Sequence, residues 1–218
     1  MGTYNEAAAI EHVLAAISDG TNDRAEVVVV DSSTDGTATI ARDHGATVVE
    51  QPPRGYGIAL REALDTADGE VIVTTDCDDT YPLERIPDFL AAINDGADVV
   101  SGDRLHAGAP TMPRLNRIGN HGFAWLATLL TGHRVHDVTT GMRAYRRTVI
   151  EDITWTEDTG LSAELLLRPL CRGYDVRERP IEYRERRGDT TLDPLTGGAA
   201  IAASIVTVAL EERRRDGA

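Results

Sequence analysis

Three carboxylates fall within four residues at Asp76-Cys77-Asp78-Asp79, directly after the apolar run Val71-Ile-Val-Thr-Thr75. Anions that close repel one another unless a cation or a proton intervenes. A hard divalent ion with oxygen ligands, Mg²⁺ or Mn²⁺, suits Asp76 and Asp78 as ligands and would also hold a diphosphate. The plainer alternative is a solvated acidic turn in an acidic chain. A second acidic turn, Asp31-Ser-Ser-Thr-Asp35-Gly36, follows the apolar run Val27–Val30. In open parallel sheets, ligands sit beyond the carboxyl ends of the strands, which is where both turns fall.

The elements that must position these residues alternate. Asn5–Ile17 has helical spacing through Ile10, Val13, Leu14 and Ile17. Val27–Val30 reads as a strand, Thr37–His44 as a helix and Thr47–Val49 as a strand. The helix Tyr56–Thr66, the strand Glu70–Thr75, the helix Leu83–Asn94 and the strand Asp98–Ser101 follow. Short apolar strands between helices predict an α/β fold, a mostly parallel central sheet flanked by helices. Past residue 105 the character changes. The long apolar helix Ile118–Leu130 precedes a strand at Met142–Tyr145, a helix at Ser162–Gly173, a strand at Val176–Tyr183 and an apolar tail over Gly197–Leu210. The expected organisation is a single domain over 1–218, with a ligand-binding half at 1–105 and a second half at 106–218.

Composition narrows the function classes. The chain has 218 residues, 41% of them hydrophobic, enough to bury a core. Its net charge is −14, and all 22 basic residues are Arg, with no Lys. Such a surface points to a proteome adapted to high salt, which screens the self-repulsion. Generic nucleic-acid binding is disfavoured, because no basic face is visible. Two cysteines, Cys77 and Cys171, make no disulfide framework and fit a reducing compartment. No apolar run reaches the ~18 residues that span a bilayer. A cytoplasmic chain with no transmembrane segment is therefore expected.

One rival enzyme class fits the acidic strand end. An apolar strand followed by Asp76-Cys77-Asp78-Asp79-Thr80 matches the haloacid-dehalogenase phosphatase pattern, with Asp76 as nucleophile and Asp78 as acid/base. It leaves the other motifs unexplained. In order, these are Tyr4-Asn5-Glu6, Asp31 to Thr37, Arg54-Gly55-Tyr56-Gly57 and Asp76-Cys77-Asp78. The second half adds Asp137-Val-Thr-Thr-Gly-Met-Arg143, Leu161-Ser-Ala-Glu164-Leu, and Arg186-Arg-Gly-Asp-Thr-Thr-Leu192. The ordered set resembles the GT-A-fold, family 2 glycosyltransferases, and within them the dolichyl- and polyprenyl-phosphate hexose synthases.

The resemblance implies a GT-A nucleotide-diphospho-sugar transferase fold and an inverting transfer of a hexose from GDP-mannose or UDP-glucose to dolichyl or polyprenyl phosphate. It implies that Tyr4 and Glu6 flank the nucleoside and that Asp31 lies against its base or ribose. Arg54 and Gly55 would let the backbone approach the donor at a helix N-terminus. Asp76 and Asp78 would act at the diphosphate, with Asp78 the direct metal ligand. Glu164 would sit near the sugar–acceptor junction, and Arg104, Arg143 and Arg186 would grip phosphate. A phosphate acceptor is anionic already, its second pKa being ~6 in phospho-amino acids, so it needs neutralisation and positioning more than a base. The apolar helix and tail would either complete the core or form a platform at the cytoplasmic face of a membrane. Alternatives within this resemblance are a sugar-hydroxyl acceptor and an inactive nucleotide-binding relative. Most of the family's first strand is absent before Tyr4, so either the true start lies upstream or the sheet is finished some other way; a missing central strand would expose two hydrogen-bonding edges. Thr191 stands where relatives carry Lys. The oligomeric state is left open.

Overall fold

The computed structural model describes residues 1–106, 108–188 and 194–216, with the side chains of 194–196 and 216 left out of the description. Two sheets form in place of one. β1 (Gly2–Thr3), β2 (Val28–Asp31) and β3 (Thr47–Glu50) make a parallel three-stranded sheet in that order. β4 (Val71–Thr74), β5 (Val99–Asp103), β6 (Arg143–Arg146) and β7 (Val176–Pro180) make a second sheet, ordered β4-β6-β5-β7. There β6 runs antiparallel to both neighbours, while β5 and β7 are parallel. The expected α/β class holds, but the sheet is divided. β1 pairs with β2 through Gly2–Val30 and Thr3–Asp31. An apolar cavity of about 670 Å³ lies along this division, lined by residues including Val28, Leu60, Leu64, Ile72 and Leu90.

Helices cover the sheets. They are α1 (Ile10–Thr21), α2 (Thr37–Asp43), α3 (Tyr56–Thr66), α4 (Ile86–Asn94), α5 (Arg114–Thr131), α6 (Arg147–Asp152), α7 (Leu161–Cys171) and α8 (Pro194–Asp216). Ile10, Val13 and Leu14 of α1 pack with Val29, Phe89, Ile93 and Val100 in the central cluster. Leu60 and Leu64 of α3 meet Ile72, Tyr145, Leu161 and Leu165 in a second. Ala124 and Ala127 of α5, Leu166 and Leu167 of α7, and Ile205 and Val208 of α8 form a third.

Several boundaries differ from expectation, each for a local reason. α1 starts at Ile10 because Asn5 takes a left-handed φ of 56° and ties itself to the neighbouring turn. There its N–H donates to Ser33 Oγ at 2.7 Å and its Oδ1 accepts from Thr34 N–H at 3.0 Å. β7 stops at Pro180, three residues short of the expected end. The tail expected over Gly197–Leu210 is part of one long helix, α8. No disulfide joins Cys77 and Cys171. No helix among the described residues is long and apolar enough to cross a membrane.

Candidate active site

The acidic strand end is built by three segments far apart in sequence. Asp76 and Asp78 follow β4, and the backbone of 184–187 runs alongside them: Arg187 N–H donates to Asp78 O and Arg184 N–H to Thr80 O, both at 2.9 Å. This pairing delivers Arg186. Its guanidinium bridges Asp78 Oδ2 and Glu6 Oε1, each at 2.8 Å, while its Nε is buried without a partner. Asp78 Oδ1 accepts from Thr80 N–H at 3.1 Å and Thr80 Oγ1 at 2.7 Å. Asp76 Oδ1 accepts the Tyr56 hydroxyl at 2.8 Å. On its other side lies Gly141, where an added Cβ would stand 2.6 Å from Asp76 Oδ2, so the position admits only glycine.

The electrostatics follow from this crowding. Burial, then Asp78, push the Asp76 carboxyl above its ordinary range against the Tyr56 bond and the arginines. Burial raises Glu6 to about 7; Arg186 opposes the rise, and Asp78, Asp76 and Asp35 add to it. Arg186 thus pairs with two of the three carboxylates, Glu6 and Asp78. A bound cation would relieve them, and the guanidinium already placed between Asp78 and Glu6 shows that positive charge fits there. Among the described residues, no group of three or more His, Cys, Asp and Glu side chains is arranged as a closed cation cage. Asp76 and Asp78 could therefore supply part of a coordination shell, with ligand and water oxygens completing it.

Other expected site residues stand elsewhere. Glu164 is fully buried and turned away from the acidic strand end. Its carboxylate accepts from Thr156 N–H, Thr156 Oγ1, Glu157 N–H and Arg168 Nε, at 2.7–3.0 Å. With its lone pairs so engaged, it is no free base. Arg143 is also buried; it donates to Ser101 Oγ at 3.0 Å and Val138 O at 2.7 Å, which leaves it bracing β6 against β5. Arg104 forms a two-pronged pair with Asp137 at 2.7 and 2.8 Å and lies between the Tyr81 and Tyr183 rings. Burial would raise the Asp137 carboxyl, but Arg104 holds it below its ordinary range.

Asp31 is likewise turned inward, accepting from Thr3 Oγ1 at 2.6 Å and from Ser33 Oγ at 2.5 Å. It organises its own turn; the exposed Tyr4 stands free beside it. Arg54 donates to Gln51 at 2.9 Å and touches no acidic group of the site. The helix N-terminus expected to receive the donor is occupied: Asp158 Oδ1 accepts Gly57 N–H at 3.0 Å, and its carboxylate packs on Gly55. Asp158 and the Tyr56 hydroxyl had no distinguishing signal in the sequence, since each acts on a residue 20 or more positions away. Thr191 lies outside the described residues.

Comparisons with known proteins give this geometry its context. The family described as "Glycosyl transferase family 2" matches residues 1–154. The chain belongs to glycosyl transferase family 2. A relative from Haloferax volcanii, a dolichyl-phosphate hexose transferase, is 64% identical over 99% of this chain and 94% of its own length. The polyprenol monophosphomannose synthase of Mycolicibacterium smegmatis is 28% identical over 84% of this chain and 76% of its own. Among solved structures, glucosyl-3-phosphoglycerate synthase from Mycobacterium tuberculosis in complex with Mn²⁺ and UDP-glucose superimposes with a TM-score of 0.74 at 26% identity, over 97% of this chain and 76% of its own. The GT-A-like fold is thereby shared, and the phosphatase alternative falls with the family assignment.

Proposed function

We propose that this family 2 chain transfers a hexose from a nucleotide sugar, GDP-mannose or UDP-glucose, to dolichyl or another polyprenyl phosphate. The observation that carries the reading is the under-neutralised trio Glu6, Asp76 and Asp78 at the end of β4, of which Glu6 and Asp78 are bridged by Arg186 from the opposite half of the chain. The names of the Haloferax and Mycolicibacterium relatives support the acceptor class, and the Mycobacterium structure supports a nucleotide donor with a divalent ion. In this reading Asp76 and Asp78 hold Mg²⁺ or Mn²⁺. That ion supplies charge neutralisation for the departing nucleoside diphosphate.

An acceptor phosphate oxygen attacks the anomeric carbon; the new C–O bond forms as the bond to the diphosphate oxygen breaks, with inversion. The leaving oxygen keeps the electron pair, and no proton has to move. Arg186 is the residue positioned to pass from the carboxylates to a phosphate. A sugar-hydroxyl acceptor would need a free base, and Glu164, with its four donors, is not one. Because Arg186 bridges residues from the first half, the parts 1–105 and 106–218 act as one transferase unit.

The acceptor is a lipid, and the surface offers it a place. Leu115, Ile118, Trp125 and Leu129 of α5 are 59–69% exposed at three-, seven- and four-residue spacing, and Val206 and Leu210 of α8 are also exposed. Exposed arginines lie near it, Arg114 at the start of α5, Arg134 just past its end, and Arg213 bonded to Leu130 O, positive charge suited to anionic headgroups. The face docks on the cytoplasmic surface of a membrane, without crossing it. Two relatives from Haloferax volcanii accord with the high-salt reading of the composition.

The test is a radiolabel transfer assay with dolichyl phosphate, a panel of nucleotide sugars and Mg²⁺ or Mn²⁺ in high salt. Label should enter the organic phase in a metal-dependent way. Binding of nucleoside diphosphate without turnover would favour an inactive relative, and label on a soluble sugar would favour a hydroxyl acceptor. Trp125→Glu should release the protein from anionic vesicles while leaving transfer to a detergent-dispersed acceptor intact; unchanged co-sedimentation would remove the docking face.

A further inference from the structure

We infer that Tyr56 is a positioning residue of the donor site, and that Asp158 holds it there from the other half of the chain. The inference rests on the donor-site reading of Asp76 and Asp78. Tyr56 opens α3 and gives its hydroxyl to Asp76 Oδ1 at 2.8 Å, while Gly141 closes on Asp76 Oδ2 from the far side. The carboxylate is thus fixed in plane and direction by two contacts, one of which is adjustable only through α3.

The start of α3 is not free to move. Asp158 Oδ1 accepts Gly57 N–H at 3.0 Å, where the helix would otherwise leave an unpaired donor. Added Cβ atoms at Gly55 and Gly57 would lie 2.6 and 2.3 Å from Asp158 atoms, so the segment 155–158 rests directly on this turn. Arg61 of α3 adds bonds to Trp155 O at 3.3 Å and Glu157 O at 3.0 Å. That segment is anchored in turn by Glu164, which accepts the N–H groups of Thr156 and Glu157. The order of contact is therefore Glu164, the segment 156–158, the first turn of α3, the Tyr56 hydroxyl, and Asp76. A buried glutamate with no access to ligand acts on the site through this series.

The experiment is calorimetric titration of Mn²⁺ with GDP or UDP into the folded chain and its variants. Tyr56→Phe keeps the ring and removes one bond to a charged acceptor, so Kd should rise about tenfold with the melting temperature unchanged. Asp158→Ala should weaken binding similarly, Asp158→Asn should restore most of it, and the Tyr56→Phe/Asp158→Ala pair should be no worse than the weaker-binding single variant. Wild-type Kd in Tyr56→Phe, or effects that multiply in the pair, would overturn the inference. Should Asp158→Ala fail to fold, the Tyr56→Phe value alone decides. No binding by the wild-type chain would instead overturn the donor-site reading, and the inference with it.

Discussion

Two carboxylate clusters in this molecule are built from the same residue types to opposite ends. Between α7 and α8, Glu164, Glu211 and Glu212 meet Arg168 and Arg172, so that every buried carboxylate faces a guanidinium. At the end of β4, Arg186 pairs with Glu6 and Asp78, while Asp76 is held by the Tyr56 hydroxyl instead. The first cluster is saturated and joins helices. The second carries surplus negative charge, which costs stability and leaves capacity for a ligand. The difference shows why a carboxylate's type and spacing cannot tell its role: what separates Glu164 from Asp78 is how many donors already face it.

Substitutions can break that contrast. Asp78→Ala should lower transfer by roughly 10²–10³-fold while changing stability little, since the residue sits among like charges. Equal loss of activity and of stability would place Asp78 with the structural cluster. Glu164→Ala should cost about 3 kcal/mol in urea unfolding, because it strips Arg168 of a partner and orphans two backbone N–H groups, and should weaken donor binding only by loosening the segment that holds α3. The shape of its pH–rate profile should not change; loss of a basic limb would make Glu164 a base after all.

Proton linkage sharpens the comparison. Glu6 has its pKa raised to about 7 from an ordinary 4.5, so between those values the unfolded chain ionises first and stability falls as pH rises. Glu6→Gln should flatten that fall. Asp137, held below its ordinary range by Arg104, has the opposite sign: its contribution is complete above the ordinary range and disappears as pH drops through the folded value. Stability measured from pH 7 down to 2 should therefore collapse at the acid end, less so in a variant lacking the pair. Smallest of all, Arg42→Ala, at an exposed pair with Glu50, should shift stability by less than about 0.5 kcal/mol.

Much of this was legible in the sequence because it is local. The apolar run ending at Val30, the buried face Ile10, Val13, Leu14 and Ile17, and the acidic strand end all depend on near neighbours. The second partner of Arg168 was not, since Glu212 reaches it from 44 residues away. Nor was the occupied start of α3, where Asp158 arrives from 101 residues away. The inward turn of Asp31 depended on Thr3, 28 residues earlier. The antiparallel insertion of β6 was not legible, because apolar pattern carries no strand direction.

The order β4-β6-β5-β7 also bears on how the chain acquires its structure. Val71 of β4 pairs with Arg146, and Arg186 reaches back 180 positions to Glu6. Contacts of such separation close large loops and are formed late. During synthesis the parallel β1-β2-β3 unit can assemble while β4 still lacks its neighbour, so the acidic strand end is among the last parts to take shape. A ribosome-stalled chain ending before residue 143 would carry both aspartates without β6 or Arg186 beside them, and pulse-labelling hydrogen exchange should find the amides of 76–80 protected later than those of 28–31.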